Sequence, residues 1–462
     1  MFRWLLGGRE PQAGAEKTIV LNIGEEQTQN PYTELTALKG HLDIVRFLVQ
    51  VDDNRFASAC DDGSVMVWDV QTGEVLFEFH GHSKKITAMA VFPTSETYEE
   101  RADLILTASS DKTVIAWDCE TGQQWQKASD FSSTIKALLV VQSLDVWLSG
   151  GSELRLWNRN FKLLAETGSF PDGGIIAALI ELPKNCVAAA VGRDLIIFRL
   201  GISAAGSDEW SISQLKSLSG HQDVVRTVIN INELAFASGC DAGELIIWDA
   251  LDWSMQSCER DFSQLYTQLD SPPENRVPPM QEEVSIQHLS SDGECVYVAV
   301  ARGIYVFNLQ TRRVIALQKN AHDSSILHMA NIPNRQLVSC SEDGSVRIWE
   351  LRSKPQLQAE PVPAGFFSMW GFGKANKQSN QTVKKTNENG IVATLELIGD
   401  LIGHSSSVQM FLYFQDHGLV TCSADHLVIL WKEGKRESRL RSLLLFQKLE
   451  QNGDLKPQYS LH

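Results

Sequence analysis

A fixed spacing recurs through this 462-residue chain and constrains its fold more tightly than any other property. Gly-His or Ala-His pairs stand at Gly40-His41, Gly81-His82, Gly220-His221, Ala321-His322 and Gly403-His404, followed in turn by Trp68, Trp117, Trp248, Trp349 and Trp431. The His-to-Trp interval is the same in four of these units: 41 to 68, 221 to 248, 322 to 349 and 404 to 431. An aspartate lies six residues before the Trp at Asp62, Asp111, Asp343 and Asp425, with Ala242 as the exception. A hydroxyl lies ten before it at Ser58, Thr107, Ser238, Ser339 and Thr421. Self-similarity at a fixed period means one supersecondary unit stacked on copies of itself. The length therefore belongs to a single repetitive domain rather than to several ordinary ones.

The residues before each Trp alternate, as in Val65 and Val67 or Val346 and Ile348. They read as half-buried strands that follow a turn carrying Asp and Gly. The joint His, Ser/Thr, Asp, Trp pattern resembles the WD-repeat family, which implies an all-β chain closed into one propeller. The resemblance further implies that the turn Asp bonds the loop His, the His meets the hydroxyl, and the hydroxyl meets the indole N–H. The expected quartets are His41, Ser58, Asp62, Trp68; His82, Thr107, Asp111, Trp117; His322, Ser339, Asp343, Trp349; and His404, Thr421, Asp425, Trp431. Ala242 breaks the quartet of its own unit.

Three degenerate units fill the gaps: WLSGGSELRLWN with Trp157, VAAAVGRDLIIFRL with Phe198 and VYVAVARGIYVFNL with Phe307. Five strong and three degenerate units make eight blades, or seven if one is misread. The segment TELTALKGH at 33–41 matches the outer-strand segments EVLFEFHGH and SQLKSLSGH, so it is an outer strand without a blade of its own. It is expected to complete the last blade and close the ring over residues 33–432, leaving few open sheet edges.

Composition narrows the function classes. A net charge of -16 disfavours a broad grip on nucleic-acid phosphates. The N-terminal MFRWLLGGREP lacks an apolar core long enough for a secretory signal, and no run approaches membrane-spanning length, so a cytoplasmic protein is expected. The eight cysteines show no CxxC spacing and read as reduced core thiols, with no metal or cofactor expected. Ser58, His41 and Asp62 hold the residue types of a hydrolytic triad. The same trio recurs at Thr107, His82, Asp111 and at Ser339, His322, Asp343, and recurrence at fixed phase points to architecture rather than catalysis. A sialidase-type Asp box does not fit SEDGSVRIW, where Gly344 directly follows Asp343, and no Gly-rich phosphate loop is present.

Function in a scaffold concentrates where the repeat is interrupted. Residues 94–103 and 201–212 lengthen two hairpins, and 261–283, with Pro272, Pro273, Pro278 and Pro279, forms a long connection. The insertion at 351–393 has the composition of disorder yet crowds Phe366, Phe367, Met369, Trp370 and Phe372 together. Those aromatics either seal the propeller flank or insert into a partner, since buried aromatics dominate binding hot spots; a membrane interface is a third reading. In the extension 1–32, the run 18–23 with Ile19, Leu21 and Ile23 is a strand that could pair with a partner's sheet. In the extension 433–462, Lys435, Arg436, Arg439 and Arg441 lead into Leu440, Leu443, Leu444, Leu445 and Phe446, a helix or a strand. Both runs either pack on their own blade or form one docking surface, its positive charge suited to an acidic partner.

Nearly the whole chain also resembles one member of that family, through GELIIWDALDW, CSEDGSVRIWELR, GDLIGHSSSV and the GFFSMWGFG insertion. This closer resemblance implies a non-catalytic subunit of a complex with two DENN-domain proteins. It implies roles in small-GTPase regulation and autophagy, with recruitment to lysosomal membranes. The insertion at 351–393 is expected to reach a second partner, a lysosomal membrane protein. The competing reading is a peptide receptor that uses the central face of the ring.

Overall fold

The computed structural model describes residues 20–22, 29–94, 103–202, 209–260, 262, 284–353 and 392–451. These form eight antiparallel sheets, seven of four strands and one of five. Blades 1 to 7 span 45–79, 86–128, 137–166, 176–219, 225–259, 286–318 and 326–402. Blade 8 is made by both ends of the chain: Val408–Phe414, Gly418–Ser423 and Val428–Glu433, then Tyr32–Leu38, then Val20–Asn22 at its edge. The first strand of each blade meets that of the next, and Val408–Phe414 meets Val45–Gln50, so the ring closes. The closing strand pairs antiparallel in the register Leu35 to Trp431, Thr36 to Leu430 and Ala37 to Ile429.

The core lies between blades. Phe411, Ile429 and Trp431 of blade 8 share one cluster with Val338 and Ile348 of blade 7, and Phe414 and Leu430 share another with Phe56 and Trp68 of blade 1. This arrangement corrects the half-buried reading of the Trp-bearing strands. Val65 and Val67 are 0% exposed, but their out-of-phase neighbour Met66 is only 4% exposed, because the next blade covers the second face. A strand covered on both sides reads as an apolar run rather than an alternation.

The glycine of the Gly-His pair has a packing reason. A Cβ at Gly403 would stand 2.8 Å from Trp431 Cη2, and one at Gly81 2.9 Å from Trp117 Cη2, inside van der Waals contact. The loop therefore crosses directly over the indole edge.

Of the interruptions, 201–212 carries strand at 201–202 and 210–212: Asp194–Ile202 pairs with Trp210–Ser219 as far as Ile202 opposite Trp210. From the connection 261–283, Phe262 is 1% exposed and packs edge-on to Tyr305 at 5.1 Å, while the four prolines lie outside the described residues. The tail after Glu433 is a helix, Gly434–Gln451. Among the described residues no helix is long and apolar enough to cross a membrane.

Candidate functional site

The polar quartets are the first candidate for chemistry, and their bonds are already spent inside the blades. Each indole N–H donates to the hydroxyl ten residues earlier: Trp68 to Ser58 at 2.7 Å, Trp117 to Thr107 at 2.9 Å, Trp349 to Ser339 at 2.9 Å and Trp431 to Thr421 at 2.9 Å. The same hydroxyls meet His41, His82, His322 and His404 Nε2 at 2.6, 2.8, 2.7 and 2.8 Å. An indole N–H can only donate, so the hydroxyl accepts it and gives its own proton to Nε2. That leaves Nδ1–H to donate outward. It reaches Asp111 at 3.3 Å, Asp343 at 3.1 Å and Asp425 at 3.0 Å.

Blade 1 departs from the expected pattern, since His41 Nδ1 meets the Ser64 hydroxyl at 3.3 Å while Asp62 accepts the Ser64 N–H at 2.8 Å. Burial holds the His41 imidazole down to about 4 and lowers that of His82, so both rings stay neutral. Burial alone would raise the Asp343 carboxyl, but hydrogen bonds from His322 and Ser345 hold it well below the usual carboxylate range. A neutral, fully bonded imidazole beside a committed hydroxyl is mortar rather than a nucleophile pair.

Two quartet features escape the fixed spacing. In blade 5, Ala242 does not leave the His without a carboxylate: Glu244, two residues on, accepts the Gln222 N–H at 2.7 Å and approaches His221 Nδ1 at 3.6 Å. His221 and Trp248 keep their bonds to Ser238, at 2.6 and 2.8 Å. In degenerate blade 3, Ser149 accepts from Trp157 Nε1 at 3.0 Å, a half-quartet that is legible only if the hydroxyl is sought eight residues before the Trp.

The second candidate is the surface where the chain ends meet. Val20–Asn22 pairs in the register Val20 to Thr36, Leu21 to Leu35 and Asn22 to Glu34, so one edge of this strand is taken by its own blade and a partner sheet would have to use the other. The C-terminal helix starts where Val428–Glu433 stops, and Gly434 N–H donates to Pro31 O at 3.3 Å. Arg441 donates to both oxygens of Glu34, at 2.8 and 2.6 Å, and these bonds hold the Glu34 carboxyl below its usual range. Arg436 donates to Asp416 at 2.9 Å. Two of the four cations read as bait for an acidic partner are thus paired within the chain.

The same helix leaves Leu440, Leu443, Leu444 and Leu445 exposed at 42, 58, 57 and 57%. A cavity of about 240 Å³ opens at its base, lined in part by Tyr32, Ile332, Tyr413, Asp416 and Arg436. Ile19 and Ile23 lie outside the described residues, as does the Phe446 side chain.

The third candidate, the aromatic group Phe366, Phe367, Met369, Trp370 and Phe372, also lies outside the described residues. Its roots are described. Ser345–Ser353 and Ala393–Ile402 pair along their whole length, from Ser345 opposite Ile402 to Ser353 opposite Ala393, with Arg352 bonded to Glu350 and Glu396 near the exit. The third strands of blades 7 and 8 run in the same sense, so the insertion leaves from the face on which the helix begins. The blades are neighbours: Tyr32 and Leu35 pack in one cluster with Ile398.

The comparisons were made with this geometry in place. A family model for the WDR41 β-propeller matches residues 1–441. The chain is 62% identical over 456 residues to WD repeat-containing protein 41 of Homo sapiens, covering 98% of this chain and 99% of that protein. It is 60% identical over 459 residues to the Mus musculus protein of the same name, covering 99% of this chain and 100% of that one. Among solved structures, the computationally designed Ika8 protein superposes with a TM-score of 0.59 at 20% identity, covering 86% of this chain and 98% of that one, a likeness of fold alone.

Proposed function

The chain belongs to the WDR41 β-propeller family, and on that premise we propose that it is an adaptor whose paired chain ends dock a DENN-domain subunit. The WD-repeat propeller is the scaffold; the docking surface, its partner and the linked roles in small-GTPase regulation, autophagy and lysosomal recruitment are the proposal. The observation that carries it is the row of exposed leucines at 440, 443, 444 and 445, on a helix that issues from the same blade as an edge strand. A helix tied to its blade by Arg441 yet leaving leucines in water presents a preordered apolar surface, and preorganisation lowers the ordering cost of binding.

The insertion rooted in blade 7 leaves from the same face, so it would hold a second partner, a lysosomal membrane protein, alongside the first. Removing residues 1–24 together with 440–462 is expected to release the DENN-domain partner in co-purification. Phe366→Ala, Phe367→Ala and Trp370→Ala combined should release only the lysosomal one. Retention of the DENN-domain partner after the terminal trim counts against this reading. A peptide-receptor role for the opposite face is favoured by Leu42 at 83% and Val224 at 41% exposure beside the His-bearing loops. A binding footprint confined to those loops would select it instead.

A further inference from the structure

Blade 5 breaks the quartet rule in a way that gathers a different set of atoms. The other strong units place Asp six residues before the Trp and an uncharged residue four before it: Ser64, Thr113, Ser345 or Leu427. Blade 5 has Ala242 and Glu244 at those two positions, so its carboxylate arises from the residue just before the strand rather than from the turn. Eight residues before the Trp, blades 2, 7 and 8 carry Ser109, Ser341 and Ser423, whereas blades 1 and 5 carry Cys60 and Cys240, and blade 5 alone of these joins the cysteine to a Glu four before the Trp. Among the described residues this is the one place where His, Cys and a carboxylate offer ligand atoms all within 4.8 Å of one another.

We propose that His221 Nδ1, the Cys240 sulfur and Glu244 Oε2 form a zinc site, with the fourth position left to water. Glu244 Oε2 lies 3.6 Å from His221 Nδ1 and 3.6 Å from Cys240 Sγ. Tetrahedral zinc with bonds of about 2.0–2.3 Å sets its ligand atoms about 3.4–3.6 Å apart, so two edges of the triangle are already close to their bound length. The imidazole-to-thiol edge closes to match when the ion arrives. His221 Nδ1 has no hydrogen-bond partner, although the side chain is only 1% exposed, so a buried ring nitrogen beside Glu244 is available to an ion.

The surroundings suit a metal. His221 Nε2 lies 2.6 Å from Ser238 Oγ; metal binding at Nδ1 moves the ring proton to Nε2, which then donates to Oγ beside the Trp248 N–H, since a hydroxyl can accept two hydrogen bonds, and this orients the ring. Glu244 Oε1 faces Arg260 Nε at 2.9 Å, and Arg260, with a half-exposed side chain, is the cover through which an ion enters. Thiolate, imidazole and carboxylate together fit zinc better than magnesium or calcium. Zinc takes the thiolate form of cysteine, so binding releases the Cys240 proton.

The test titrates the chelator-stripped, reduced full chain with Co(II) alone and then with Zn(II). One equivalent of Co(II) is expected to give a thiolate-to-cobalt charge-transfer band that Zn(II) removes. Cys240→Ser abolishes the band, in a form that blades 2, 7 and 8 show to be compatible with the fold. The double change Ala242→Asp with Glu244→Ser rebuilds the Asp343 and Ser345 arrangement of blade 7, and it too is expected to be folded and silent. Cys258→Ala, at the blade's other cysteine, leaves the band in place. No band at one equivalent in the folded parent chain, or a band that survives Cys240→Ser, overturns the site.

Discussion

At the scale of single residues, the hydroxyl is the hub of each quartet, because it alone bonds both rings. Ser339→Ala strands the Trp349 indole N–H and His322 Nε2 in a site where Ser339 is 0% exposed, and each unsatisfied group costs about 1–3 kcal/mol. Urea denaturation should therefore show a loss of about 2–4 kcal/mol in this variant. Ser149→Ala in blade 3, where no His stands behind the hydroxyl, should lose about half as much; equal losses would deny the His its share. Much of this network was legible, since His, Ser/Thr, Asp and Trp recur at offsets set by one blade's geometry. What stayed hidden were substitutions that shift position along the chain while converging in space. Glu244 replaces the missing Asp from two residues away, and Ser149 sits two residues closer to its Trp; a fixed-offset reading passes over both.

At the scale of elements, the closing strand carries the most weight for its seven residues. Tyr32–Leu38 pairs with Val428–Glu433, and without it Leu430, Trp431 and the buried face between blades 7 and 8 open to water. Deleting residues 1–38 is expected to abolish the cooperative thermal transition followed by near-ultraviolet circular dichroism, whereas deleting 1–19 leaves it intact. A cooperative transition in the longer deletion would mean that the ring holds with an open blade. The match of TELTALKGH to the other outer strands made this element legible from its residues. The fate of the two tails was not, because both had two satisfactory readings. The N-terminal run is apolar enough for any sheet edge, and the nearest is its own; the leucine-rich tail forms a helix whose broad apolar face let it pass for a strand. In the long hairpins of blades 4 and 7 strand pairing continues through polar sequence that carries no strand pattern, because the blade has already set the register.

At the scale of the molecule, the quartets and thiols together set the pH range of stability. Burial holds the imidazole of His41 down to about 4, while an unfolded chain titrates it near 6.5. Between those values the unfolded state binds more protons, so stability is complete above about 6.5 and drains away as pH falls toward 4. The carboxyls of Asp111 and Asp425, where hydrogen bonds outweigh burial and lower the folded value, extend the loss below their usual range. On the alkaline side, burial pushes the Cys60 and Cys119 thiols up to about 12, so their contribution is present below about 9 and is lost as pH rises beyond it. Urea midpoints should form a plateau from about pH 6.5 to 9 with a fall on either side; equal midpoints at pH 5 and 7.5 would contradict the assignment. The ring also imposes an order on the protein's birth. Thr36 emerges from the ribosome early, but its partner Leu430 is nearly the last of the propeller to be made. At about 5–20 residues per second the wait is roughly 20 to 80 s. Throughout that time the strand at 32–38 is an unpaired edge in the nascent chain, open to pairing with copies on the same messenger until its own blade is made.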